Sequence, residues 1–558
     1  MKMRWLAAAL LFAPGPAAAQ IPVPPPEALA RQLQPALDSI TADELLAHMR
    51  VLASDQFEGR QPGTPGERLT VEYLAGQFRS AGLQPGNPDG TFVQRVPIVA
   101  YIPRPVLSIT AGETTRELRY PEEYVGRSRS MVPSTHIEAS GIVFVGFGIE
   151  APEFGWDDYH GLDVRGKTLL MLEGEPRKPA EPGQERALRF RSTATYYGTR
   201  QYKYEVAASK GAAAVFFVHD PHNSTMTFEQ LQARCAKESF ELIPEHPSDR
   251  VEADGWLAAA GFEQIAADAG KDAATLLQQA TRDDFEPVAM NATARIDITT
   301  RLRAFDSYNV VARLEGSDEE LNDEYVIYSA HWDHLGRNPA LRGDQIHNGA
   351  IDNAAGAAQL LEIAEGFAAL ERAPRRSILF IATTAEEIGF LGAVHYTERP
   401  LFPLSGAVAN INLDAGNVWG RTTDVTNMGY GLTSLDDVLE AAATRQNRTF
   451  IAEPFAGGSY FFLSDQFMFA RAGIPSVFPS AGETYVGRPA GFGERKWAEY
   501  GSRYHTVSDE IEADWDLSGA AEDARWLLDA GYAMAQDSAA PSWNSGVEFR
   551  RGRWTPSR

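Results

Sequence analysis

Cysteine is nearly absent: Cys235 stands alone among 558 residues. An internal disulfide is excluded, and with it any small scaffold held by such bridges. The lone thiol reads as a small, partly buried side chain, because no nucleophile signature surrounds it. Positive charge is also scarce. Lys and Arg number 51 against 75 Asp and Glu, a formal net charge of −24, which argues against nucleic acid as a partner. Long apolar runs are missing as well. The first, from Trp5 to Phe12, stops at Pro14, well short of the ~20 residues that a membrane-crossing helix needs. No later run reaches that length, so no membrane span is expected.

What is present reads as a soluble globular chain, with 44% hydrophobic and 23% charged residues, and its length asks for several domains or one large domain with an insertion. Lys2 and Arg4 before the short apolar run, then Ala17, Ala18 and Ala19 before Gln20, have the form of a cleavable export signal over residues 1–19. A periplasmic or secreted protein is expected. Residues 20–40, rich in proline, read as an exposed leader running into the first helix.

From residue 41 to about 82 apolar positions recur at helical spacing around the loop DQFEGRQPGTPGE, and VPIVAYIPRPVLSIT then reads as strand. These belong to a first segment, residues 41–131. In 132–291 the runs GIVFVGFGI, GKTLLMLEGEP and GAAAVFFVHDP each read as a buried strand, with KYEVAASKG a short helix. Over 292–537 the order becomes regular. EYVIYSA, RSILFIATTA and GAVANINL are strands, and DNAAGAAQLLEIAEGFAAL and FLGAVHYTE are helices. Such alternation implies an α/β fold with a mainly parallel central sheet covered by helices on both faces. Residues 538–558, with Arg550, Arg551 and Arg553, read as an extended, peripheral C-terminal tail.

In open α/β sheets ligands bind beyond the carboxyl ends of the strands. Strand EYVIYSA runs into His331-Trp332-Asp333-His334, RSILFIATTA ends at Glu386-Glu387, GAVANINL ends at Asp414, and Asp352 opens the long helix. With His505 from RYHTVSDE, imidazoles and carboxylates converge on one sheet edge, a donor mixture that suits zinc, whereas calcium or magnesium prefer oxygen alone. Taken singly, each has a plainer reading, and Asp352 alone would be the cap of its helix.

In this order SAHWDHLG, NGAIDNAAGAAQLLEIA, TTAEEIGFLGA, NLDAG and YHTVSDE resemble the metal-site motifs of the M28 family of zinc peptidases, which includes secreted aminopeptidases. The resemblance implies two zinc ions: His331 and Asp414 hold one, Glu387 and His505 the other, and Asp352 bridges them. It makes Glu386 the general base, Asp333 the support of the first histidine, and Tyr504 the group that helps polarise the scissile carbonyl. His334 and His347 match no ligand and read as ordinary polar residues near the cleft. Segment 132–291 is similar to a β-rich protease-associated domain, an insertion whose usual implication is a lid or interaction surface. FFLSDQFMFARAGIPSVFP resembles a helix-then-strand wall of the substrate pocket, and GETYVGRPAGFGERKWAEYGSRY is expected to be a mobile loop beside it.

The activity implied is an aminopeptidase acting on peptide substrates. Carboxypeptidases and dipeptidases of the same family remain open, and they would need a cation for the substrate carboxylate, which Arg342, Arg421, Arg488 or Arg503 could supply. Glutaminyl cyclases share the fold but generally use one zinc. A receptor-like protein without catalysis would have lost ligands, and here every ligand position is filled.

Overall fold

The computed structural model describes residues 26–178, 187–221, 223–224, 226–244, 250–453 and 460–550. The expected export signal and the arginines at 551 and 553 lie outside the described residues. Thirteen strands carry the architecture, numbered here in chain order: β1 Val93–Ala111, β2 Tyr124–Ser128, β3 Ser134–Phe144, β4 Thr168–Leu172, β5 Ala214–Val218, β6 Ala253–Leu257, β7 Val288–Leu314, β8 Tyr325–His331, β9 Ser377–Thr383, β10 Ala407–Asn412, β11 Asp424–Met428, β12 Thr449–Ile451 and β13 Ser476–Ala481. They lie in one sheet, twelve of them in the order β12-β11-β13-β10-β8-β9-β7-β3-β4-β5-β6-β2, with β1 beside this path and paired with β7.

Strands β9, β8, β10 and β13 are mutually parallel. Every residue of β8, β9 and β10 is buried, which is why they read as continuous apolar runs in the sequence. The helices Gly356–Ala368 and Ser518–Gln536 are packed against each other and almost wholly buried. Among the described residues no helix is long and apolar enough to cross a membrane.

Strand β7 ties the molecule together. Over its first half Met290, Ala292, Ala294, Ile296 and Ile298 are buried in alternation with exposed or half-buried residues, and from Asn309 to Ala312 every residue is buried. The change of period marks where the strand leaves a half-wet ribbon and enters the parallel sheet. It pairs antiparallel with β1 from Ala292↔Ala111 to Val310↔Val93, with β3 over its first half, and with β9 over its last residues. Between its two arms, β3, β4, β5 and β6 run parallel, and β2, which precedes residue 132, closes that edge against β6.

Three segments differ from their expected form. Within the leader, Pro26–Ser39 is helical, and Leu33, Ala36 and Ile40 are buried, so it covers core. The Gly-rich stretch after β13 contains the helix Phe492–Gly501, anchored by Phe492 against Tyr485 and Trp497 against Trp419. The described part of the tail is not peripheral. Phe549 is fully buried, and the Glu548 carboxylate accepts from the Tyr196 amide at 2.7 Å.

Candidate metal centre

Strands β8, β9 and β10 deliver their carboxyl ends to one place. His331 is the last residue of β8, the Glu386-Glu387 pair follows β9 after the turn at Ala385, and Asp414 follows β10. Ala385, Ala415 and His505 all have positive φ, at 58°, 70° and 59°. Backbone of this kind is uncommon outside glycine and gathers where side chains must be aimed.

Asp352 lies in a turn rather than at the cap of a helix. Its φ and ψ are −110° and 95°, and the regular helix starts at Gly356. The capping belongs to Asn353, whose Oδ1 accepts from the Gly356 and Ala415 amides at 2.9 and 3.0 Å while its Nδ2 donates to the Leu413 carbonyl at 3.0 Å. Asp509 fixes the other side, accepting from the Ile351 and Asp352 amides at 3.0 and 3.1 Å.

The Asp352 carboxylate stands between two groups. On one side His331 Nε2 lies 3.3 Å from Asp352 Oδ1 and 3.3 Å from Asp414 Oδ1. On the other His505 Nε2 lies 3.1 Å from Asp352 Oδ2 and 3.0 Å from Glu387 Oε2. Three imidazole or carboxylate atoms converge in each of two sets, His331-Asp352-Asp414 and His334-Asp352-Glu387. His334, read from sequence as an ordinary polar residue, places Nδ1 2.6 Å from Glu387 Oε1. His347 stands apart from both sets, its Nδ1 3.3 Å from the Gly336 carbonyl.

The remaining expected residues are close by. Asp333 is fully buried. Its Oδ1 accepts from the Glu386 amide at 3.0 Å and lies 3.7 Å from His331 Nδ1, which is 3.2 Å from the Asp333 carbonyl. Glu386 is buried, whereas Tyr504 is half exposed and stacks on the His505 ring at 3.8 Å.

Charge is balanced within the cluster. Burial opposes an imidazolium at His331, but Glu386 and Asp414 outweigh it and hold its pKa well above the usual value. Burial likewise opposes charge at His505, yet Asp352 and Glu387 lift it to about 10. Burial would raise Asp352, but the adjacent imidazoles of His331, His505 and His334 hold it well below the carboxylate range. Glu386 goes the other way, pushed well up by burial and by its acidic neighbours.

Nitrogen and carboxylate oxygen together form a donor set that fits zinc. The orphaned atoms agree with that fit. His505 Nε2 and Asp352 Oδ2 are buried without a hydrogen-bonding partner although they lie 3.1 Å apart. A nitrogen and a carboxylate oxygen that face each other without bonding fit two ligands of one ion.

A residue outside every sequence motif secures this edge. Arg60, at φ 53° in the loop after the helix Ala42–Leu52, is fully buried and donates to the carbonyls of Leu52, Trp332, Asn348 and Gly349 at 2.6–2.9 Å. Gly59 before it has φ 66°, and a Cβ there would stand 2.4 Å from the His347 carbonyl. The loop therefore presses on the site closely enough to admit only glycine at that position. Nothing in the string FEGR announces this. Asn353 and Asp509 had a signal, since both lie inside quoted motifs.

Fold and site define the class: a mainly parallel α/β sheet with a nitrogen and carboxylate metal centre at its carboxyl edge. Residues 309–528 match the model of peptidase family M28. It is 35% identical over 138 residues to aminopeptidase NAALADL1 of Mus musculus, 23% of this chain and 17% of that protein. It is 37% identical over 123 residues to a probable zinc metalloprotease of Pyrenophora teres f. teres, 21% and 25% of the two chains. It is 28% identical over 223 residues to a probable glutamate carboxypeptidase of Arabidopsis thaliana, 38% and 27% of the two chains. The matched stretch thus spans about a quarter or less of these relatives' length. An aminopeptidase from Aneurinibacillus sp. strain AM-1 aligns over 93% of this chain and 99% of its own, with 16% identity and a TM-score of 0.47.

Proposed function

We propose that this chain is a zinc-dependent peptidase that releases residues from the amino terminus of peptides, with two ions held on either side of Asp352. The observation that carries the reading is the placement of that one carboxylate between His331 and Asp414 on one side and Glu387 and His505 on the other. Bound there, zinc supplies Lewis-acid polarisation of the scissile carbonyl and a water of lowered pKa.

The chain's own residues do the rest. Glu386, whose main chain is pinned by Asp333, takes the proton of the attacking water and passes it to the leaving amine. Asp333 steadies the His331 ring from behind, so that its Nε2 faces Asp352 and Asp414. Tyr504, stacked on His505 and half exposed, stands where a phenol can donate to the carbonyl oxygen of a substrate.

Two arginines that a carboxypeptidase reading would draw on are engaged elsewhere: Arg421 pairs with Glu522 at 2.5 Å and Arg503 with Glu512 at 2.8 Å. Hydrolysis of free, amino-acetylated and carboxyl-amidated peptides, with metal content measured on the same sample, tests the reading. Amidated peptides are expected to be cleaved and acetylated ones spared. The reverse ranking would favour a carboxypeptidase, and a zinc-loaded chain that cleaves none would overturn the proposal.

A further inference from the structure

His334 has no role in the reading above, yet its surroundings are those of a ligand. Its side chain is fully buried, with Nδ1 2.6 Å from Glu387 Oε1 and 3.9 Å from Asp352 Oδ2. A solvated histidine at the rim of a cleft would face water, and a buried polar ring is costly unless its atoms are engaged. The ring is also held in place. A Cβ on Gly349 would lie 2.6 Å from His334 Cγ and Cδ2, so the bare glycine backbone is the wall against which the imidazole rests. Its partner across the site is His505, whose ring centre is 5.7 Å away and whose Nε2 reaches the other oxygen of Glu387 at 3.0 Å. Glu387 therefore has an imidazole on each of its two oxygens.

We propose that His334, through Nδ1, is a ligand in the Glu387 half of the centre, an inference that rests on the zinc reading above. That half then offers four protein donors, His334, His505, Glu387 and Asp352. The other half offers three, His331, Asp352 and Asp414. Four-donor zinc sites are closed and tight, whereas three-donor sites keep a position for water or substrate. The two halves are consequently unequal. The first equivalent of zinc enters the Glu387 half, and the second enters the His331 half, which keeps the open position.

Zinc X-ray absorption on the metal-stripped full chain, reloaded with one equivalent, tests this without any variant. The expected result is two imidazoles around the ion, from His334 and His505. A single imidazole overturns the inference. A zinc titration of His334→Asn, whose amide nitrogen can still donate to the Glu387 carboxylate but whose amide is a poor ligand, gives a second readout. The tighter of the two binding steps is expected to weaken by more than the roughly 10- to 100-fold that loss of an outer-sphere partner costs, while the weaker step stays. Unchanged affinity for both ions would overturn the inference. The two readings fail differently. A wild-type chain that takes up zinc with one imidazole sinks only the role of His334, whereas one that takes up no zinc sinks the peptidase reading with it.

Discussion

Replacing Arg60 by methionine keeps most of the aliphatic stem and removes the donors. Four main-chain carbonyls, those of Leu52, Trp332, Asn348 and Gly349, then lose the Arg60 donor, although the Gly349 carbonyl keeps the Ala354 amide at 3.1 Å. An unsatisfied buried acceptor costs about 1–3 kcal/mol, and the lower end applies because each carbonyl keeps a second lone pair for another contact. The three losses at Leu52, Trp332 and Asn348 come to about 3 kcal/mol, a large share of the roughly 5–15 kcal/mol by which a folded domain exceeds its unfolded state. Electrostatics adds to the loss. Burial is the largest influence on Arg60 and lowers its pKa to about 10, but Asp352, Asp509, Asp333 and Glu387 favour its charge. Without the cation those carboxylates lose a neighbour of opposite sign.

Urea unfolding of metal-stripped wild type, Arg60→Met and Arg60→Lys, followed by circular dichroism, measures the effect. Lysine keeps the charge, but a compact ammonium cannot span four carbonyls that a planar fork reaches. It is expected to recover about half of the loss. A cost below about 1 kcal/mol for Arg60→Met would refute the reasoning. Full recovery by lysine would show that charge alone matters and that the hydrogen-bonding fork does not.

The adjacent glutamates are expected to fail in different ways. Glu386→Gln should keep its metal while turnover falls by on the order of 10²–10⁴, whereas Glu387→Gln should lose metal and regain part of its activity in excess zinc. Metal counting beside kinetics decides this, and the opposite pattern would reverse the two assignments. His395 should make the fold acid-sensitive. Burial, helped by the charges of Arg399 and Arg95, lowers its pKa from 6.5 to about 4. Below pH 6.5 the unfolded chain therefore binds the proton first, and stability falls as pH drops from about 6.5 to about 4, by about 2–3 kcal/mol. Denaturation midpoints of wild type and His395→Gln across that window check it, and parallel curves would count against it. Processing is expected at or near Gln20, which amino-terminal sequencing of the protein from its native host would establish.

What could be foreseen and what could not divides along a physical line. The parallel strands β8, β9 and β10 were legible because burial on both faces writes an unbroken apolar run into the chain, and the residue that ends such a run lies at the sheet's carboxyl edge whatever the distant partners do. His331, Glu386, Glu387 and Asp414 follow from that rule alone. His505 and Asp352 do not lie at strand ends, and only the motif strings around them raised them as candidates. Arg60 escaped because its role depends on three successive positive-φ residues, Glu58, Gly59 and Arg60, carrying a loop under the site from 272 residues away along the chain. His334 escaped for a different reason. A histidine three residues past the strand-end His331 carries no periodic signal of burial, and whether it faces water or the Glu387 carboxylate is decided by the bare backbone of Gly349, which sequence reads only as a turn. The fold is thus written in local pattern, whereas the supports of the centre are written in contacts between segments that share no pattern at all.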